Sequence, residues 1–330
     1  MILAAVAVAA VGTRPRSRVS AALALAAGIA SILVTGWSVA LDTLRATGPM
    51  LVFLTTALGL ASLAERAGLA RWAARVLATA AHGGARRLYA EVCVASAVLT
   101  CFVSLDGAVV LMVPLVRALS RRCRVAQAPL FLGAVAVANA VSVAVPEGNP
   151  TNLVVMSRLG LSPSAFLEHL LVPGLCAALL CALVPLRLLR REQASIAAQA
   201  ADEPRMLVPW RIGAQMTGLM AALDHLLPAI PLQGGGLAVL LAIAATTAAA
   251  SAVANNLPVS ASVAAFATAG PGAYAALIGL SIGALATAHG SVATLIARDL
   301  AGDRRPWART WAPAAAAAVA LATLVFWALS

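Results

Sequence analysis

Four short polar notches interrupt an otherwise apolar chain, and they hold the side chains best suited to chemistry. They are SLDG (Ser104–Gly107), PEGNPTN (Pro146–Asn152), ANNLP (Ala254–Pro258) and ATAHGS (Ala286–Ser291), the last followed by Thr294. Asp106 is the one carboxylate at a hairpin tip, and Glu147 sits at a kink. Around them are amides and hydroxyls: Ser104, Asn149, Thr151, Asn152, Asn255, Asn256, Ser291 and Thr294. An ionisable group inside a membrane is by default a proton or cation site. Asp106 is therefore a coupling residue or, on the plainer reading, only a helix cap. Glu147 is the second coupling candidate, facing the same cavity or pointing to water. Ser, His and Asp fall in no nucleophile–base spacing and no metal cluster. Catalytic residues, a metal site and a cofactor are accordingly not expected.

The notches sit where helices must break. Pro146 and Gly148 end a helix, and Asn149 followed by Pro150 restarts one as N-cap and first helical residue. The residues expected to restart helices after the four interruptions are Asp106, Asn149, Asn256 and Ser291. Nearly equal stretches of chain separate Asp106 from Asn256 and Asn149 from Ser291. Backbone broken inside a membrane is tolerated where protein or a watery cavity satisfies its polar groups. If the breaks converge, their N-termini favour anionic or electron-rich neutral solutes. No Arg lies in any notch, which leaves a strongly charged anion without a permanent counter-charge. Asn152 and Thr294, each three residues past a cap, are expected to touch the solute, one from each half. Asn139 and Ser142, just before the first break, are expected to hydrogen-bond across helices.

Composition sets the surroundings. The chain is 62% hydrophobic and 11% charged, with mean hydropathy +0.94. That is an all-α polytopic membrane protein; a barrel would alternate. The net charge of +11 comes from Arg alone, set in short loops between apolar runs. This is the positive-inside pattern and argues against nucleic acid as a partner. Cys93, Cys101, Cys123, Cys176 and Cys181 form no C-x-x-C pair and read as small core residues, although Cys93 and Cys101 can share a helix face.

In order, residues 1–47 are N-terminal helices; the apolar run Met1–Val11 is too short to span, the remnant of a lost helix or a signal-like segment. Val19–Ala40 spans. Residues 48–189 form a first repeat: a return helix at Pro49–Ala64, an amphipathic surface helix within Glu65–Arg87, a hairpin at Leu88–Ser120, a helix broken at PEGNP, an outer loop at Leu161–Glu168 and a span at Leu170–Leu189. Residues 190–209 are a cytoplasmic linker. Residues 210–330 repeat the order: a span at Trp210–Leu227, a hairpin at Gly234–Thr268, a helix broken at ATAHGS and a last span at Trp311–Leu329. Arg flanks the first hairpin and is absent around the second, so the two re-entrant hairpins enter from opposite faces. Inverted repeats with broken helices are the architecture of secondary transporters. No nucleotide signature appears, so an ion gradient or a partner must supply energy.

SLDGAVVLMVPLVRAL (Ser104–Leu119), EGNPTNLVVM (Glu147–Met156), ANNLP and HGSVATLIARDL (His289–Leu300) together resemble the arsenical-resistance efflux permeases of the ion transporter superfamily. The run Gly48–Leu88 is also similar to that family's stretch before its first hairpin. The resemblance implies export of arsenite and antimonite across the cytoplasmic (inner) membrane. The drive is a proton gradient or a partner ATPase subunit. Superfamily relatives move carboxylates, sulfate or sodium. By motif it places Asp106, Asn149, Asn152, Asn256, Ser291 and Thr294 at the substrate or ion site. The chain departs from the family pattern at Leu105, Ala284, Ala288 and His289.

Overall fold

A computed structural model describes residues 66–192, 235–266, 268–295 and 307–330, with scattered positions between 26 and 63. The expected spans at Val19–Ala40 and Trp210–Leu227 and most of the linker lie outside the fully described stretches. Among the described residues the chain is helical, without strands.

α1 (Leu69–Ala80) is the amphipathic helix, and it packs on the helix Leu105–Cys123. Ala74 and Ala81 are buried, while Leu69, Trp72 and Val76 stay exposed beside Arg71 and Arg75. The helix ends earlier than the Arg pattern implied. His82 and Gly83 take positive φ, 48° and 77°. Arg86 and Arg87 therefore belong to the next helix, α2 (Ala85–Val103).

α2 and α3 (Leu105–Cys123) are joined by Ser104 alone and pack on each other. α4 (Gln127–Val141) leads through a 3-10 turn, Pro146–Gly148, into α5 (Pro150–Leu159). α6 (Pro163–Glu192) follows after Gly160. The expected outer loop at Leu161–Glu168 is mostly helix instead. Ser162 Oγ accepts from the Ala165 N–H at 3.2 Å, and Pro163 opens the helix. This is the arrangement that starts helices, missed because apolar sequence resumes only later. α6 also runs through Arg190 and Arg191 to Glu192, into the expected linker.

The second half repeats these parts. α7 (Leu237–Ala254) and α8 (Asn256–Phe266) are joined by Asn255. α9 (Pro271–Gly283) runs through a 3-10 turn, Ala284–Ala286, to a helical turn opening at Val292. α10 (Trp307–Leu329) closes the chain.

Length and burial separate two kinds of helix. Pro163–Leu186, Leu237–Ala254 and Trp311–Leu329 are long and apolar enough to cross a membrane. α6 exposes Leu171, Leu175, Leu179 and Leu183 along one stripe and buries Phe166, Leu170 and Cys181 on the other. Such a stripe suits lipid. α4 and α9 differ: they have 15 and 13 residues and are buried nearly all round. At about 1.5 Å per residue, neither reaches the roughly 30 Å of a bilayer's hydrocarbon.

α4 lies between α2 and α6; α9 lies against α7 and α10; α6 meets α10. α8, the second arm of the second hairpin, packs on α5, the segment after the first break. The halves therefore interlock around the breaks.

A candidate solute site where the breaks meet

Both hairpins turn on one residue in the same unusual conformation. Ser104 has φ 80° and ψ 164°; Asn255 has φ 78° and ψ 142°. Non-glycine residues there carry strain of about 1–3 kcal/mol. The capping positions therefore fall at Ser104 and Asn255, and the first helical residues are Leu105 and Asn256, whereas the sequence implied caps at Asp106 and Asn256. Asn255 caps α8 properly: its Oδ1 accepts from the Leu257 N–H at 3.2 Å. Ser104 makes no such bond, and its Oγ is buried without a partner. Reversal in a single residue moved each junction toward the N-terminus of the notch. Asp106 is left in the first turn of α3 and Asn256 as the first residue of α8.

The two breaks are built alike. The Gly148 N–H donates to the Val145 carbonyl at 3.1 Å, and the Gly290 N–H to the Thr287 carbonyl at 3.4 Å. Glycine is required by close approach: a Cβ on Gly148 would sit 2.5 Å from the Ser142 carbonyl oxygen, and one on Gly290 2.1 Å from that of Ala284. The next residue is the cap. Asn149 Oδ1 accepts from the Thr151 N–H at 3.1 Å. Ser291 Oγ accepts from the Thr294 N–H at 3.0 Å. One spacing separates Gly148 from Gly290, Asn149 from Ser291 and Asn152 from Thr294.

The carbonyls freed at the first break need donors. Asn152 supplies them, its Nδ2 lying 2.8 Å from the Ser142 oxygen and 3.0 Å from that of Val145. Asn149 Nδ2 donates to Ser142 Oγ at 3.4 Å. The second break is served by the second hairpin. Asn255 Nδ2 donates to the His289 carbonyl at 2.8 Å, and the Asn256 N–H to that of Gly290 at 2.8 Å. The Asp106 carboxylate lies near the Ala293 N–H, so the first hairpin approaches the second break as well.

Two hydrogen bonds tie the halves directly. Ser291 Oγ donates to Asn139 Oδ1 at 3.0 Å, and Ser281 Oγ to Asn152 Oδ1 at 3.4 Å. Ser291 and Thr294 also share a bond of 2.7 Å between their hydroxyls. Asn139 was expected to bond across helices and does. Ser142 stays within its own half: its Oγ donates to the Asn139 carbonyl at 2.8 Å. Ser281 was not foreseen. It lies as far before Ser291 as Asn139 does before Asn149, a signal legible once the repeat is aligned.

Ser104, Asp106, Asn149, Thr151, Asn152, Asn255, Asn256, Ser291 and Thr294 are all buried. Glu147 is not brought in: it is exposed between buried Pro146 and Gly148. Thr151 Oγ1, like Ser104 Oγ, is buried and makes no hydrogen bond. Within this cluster the hydroxyls of Ser104 and Thr151 are thus fully buried with unused bonding capacity. Cys93 and Cys101 lie on α2, one buried and one partly exposed, and the described residues hold no metal-binding group of three His, Cys, Asp or Glu.

Membrane-length apolar helices joined to short, fully buried, broken ones define a transporter-type membrane protein. The chain belongs to the citrate transporter (CitMHS) family, whose model matches residues 1–210. This is an ion-transporter type of family, in keeping with the superfamily read from the motifs. Against the curated proteins the chain finds no match.

Proposed function

We propose that the chain is a proton-coupled secondary transporter that carries a small, oxygen-rich solute across the cytoplasmic membrane. Two inverted repeats, 48–189 and 210–330, form its body; residues 1–47 precede them and 190–209 link them. Re-entrant hairpins, α2–α3 and α7–α8, bring their tips to the broken helices from opposite faces. Asp106 is the coupling residue. The observation that carries this reading is the buried polar cluster in which both halves share hydrogen bonds, Ser291 with Asn139 and Ser281 with Asn152. Buried polar atoms left unpaired cost free energy. The unpartnered hydroxyls of Ser104 and Thr151 are therefore places where a solute's oxygens are welcome.

The family's name points to a carboxylate as the solute. A second reading, export of arsenite and antimonite, is favoured by the lining itself. The four notches carry amides and hydroxyls and no basic side chain. A neutral molecule with several hydroxyls suits such a lining better than a multiply charged anion. Counterflow in proteoliposomes separates the two. Exchange of labelled citrate and not arsenite establishes the first, the reverse establishes the second, and flux of neither removes both.

A further inference from the structure

The open end of the first hairpin carries positive charge that the polar cluster does not use. α2 and α3 have 19 residues each, reverse at Ser104 and pack on each other. Arg86 and Arg87, which open α2, are therefore brought to the same end as Arg121 and Arg122, which close α3. Asp106 lies toward the other end, about 22 Å along α3 at 1.5 Å per residue. From Arg66 to Arg124 the chain holds two acids, Glu91 and Asp106. Glu91 is paired with Arg87 at 3.3 Å. Arg71, Arg75, Arg86, Arg121 and Arg122 are exposed, and none has a carboxylate partner among the described residues.

α1 adds an apolar strip to this charge. It packs on α3 and passes into α2 through the turn at His82 and Gly83, which sets it at the open end. Ala74 and Ala81 form its buried side. Leu69, Trp72 and Val76, three and four residues apart, form an exposed strip in which Trp72 is 56% exposed. Arg71 and Arg75, four residues apart, form the strip beside it. Water suits the arginines and not the apolar strip; a neutral lipid suits the strip and leaves the charge unanswered. An anionic phospholipid meets both. Guanidinium groups bond phosphate oxygens in pairs. Tryptophan is favoured at the level of the headgroups.

We infer that α1 and the open end of the α2–α3 hairpin form a docking surface for anionic phospholipids. The apolar strip of α1 lies among the acyl chains, and the arginines of α1, α2 and α3 hold the phosphates. This rests on the membrane character of the chain and on no choice of solute. Lipid held at this end braces the hairpin whose far end presents Ser104.

Purified full-length protein in dodecyl maltoside is titrated with phosphatidylglycerol, phosphatidylcholine, glycerol phosphate or poly-glutamate, and Tm is read. A saturable rise is expected with phosphatidylglycerol and none with the other three. In Arg71→Gln/Arg75→Gln/Arg121→Gln/Arg122→Gln the half-saturating concentration of phosphatidylglycerol is expected to increase roughly tenfold or more. Arg158→Gln, exposed on α5, is expected to keep the intact protein's value. If the fourfold variant does not fold, Arg71→Gln/Arg75→Gln and Arg121→Gln/Arg122→Gln carry the test, each with a shift of about threefold. Unchanged half-saturation in these variants, no rise with phosphatidylglycerol, or an equal rise with phosphatidylcholine overturns the inference. An equal rise with glycerol phosphate assigns the patch to a free anion. A rise with poly-glutamate in place of phosphatidylglycerol assigns it to an acidic protein, and either result overturns the inference.

Discussion

Ser291 caps the second break and, through the same Oγ, donates to Asn139 in the first half at 3.0 Å. One hydroxyl thus holds a helix start and a contact between the halves. Ser291→Ala removes both and is expected to destabilise the protein by about 1–2 kcal/mol. Asn139→Ala should cost less in that background than alone. A double-mutant cycle on thermal unfolding in detergent reads the coupling, and strict additivity would deny the contact.

Gly148 and Gly290 face backbone carbonyls closely enough that an added Cβ must move backbone. Gly148→Ala and Gly290→Ala should each lower stability by about 1–3 kcal/mol, as overpacking does. Gly290→Ala is expected to be the worse, since its Cβ would lie at 2.1 Å rather than 2.5 Å. Gly236→Ala is the control, because nothing lies within 4 Å and φ is −71°. Thermal melts of the three variants check the order.

Asn152 and Thr151 are neighbours with different work. The Asn152 amide is spent on the Ser142 and Val145 carbonyls, whereas the Thr151 hydroxyl is free. Asn152→Ala should therefore cost stability, and Thr151→Val should weaken solute binding several-fold while leaving Tm nearly unchanged. Saturation curves for counterflow, measured alongside melting, separate the two. A Thr151→Val protein with unaltered KM would remove that hydroxyl from the site.

The coupling proposed for Asp106, the buried acid of the cluster, is open to a direct test. Asp106→Asn keeps a polar side chain of the same shape but cannot exchange a proton. Solute exchange should persist, while accumulation driven by an imposed pH gradient disappears. Accumulation that survives with its pH response intact would reduce Asp106 to a structural role.

The opposite entry of the hairpins is tested by labelling. Single cysteines at Ser120 and Gly270, in a background without Cys93, Cys101, Cys123, Cys176 and Cys181, are expected to react from the cytoplasmic and the outer face respectively. Reaction of both from one side would refute the inverted repeat.

By itself the sequence determined the class of protein and the places where its helices fail. Apolar runs, Arg-bearing loops and Pro–Gly–Asn punctuation act locally, over a few residues, and so remain readable in one dimension. The caps at Asn149 and Ser291 were legible for the same reason: a cap bonds an N–H two or three residues ahead. Tertiary structure decided the partners. It joined Ser291 to Asn139 and Ser281 to Asn152, spent the Asn152 amide on the backbone and left Glu147 exposed. The first two of these outcomes depend on helices from opposite halves of the chain being packed together. A hydrogen bond across so long a separation leaves no periodicity in the sequence, because only the packed helices bring its two ends within reach.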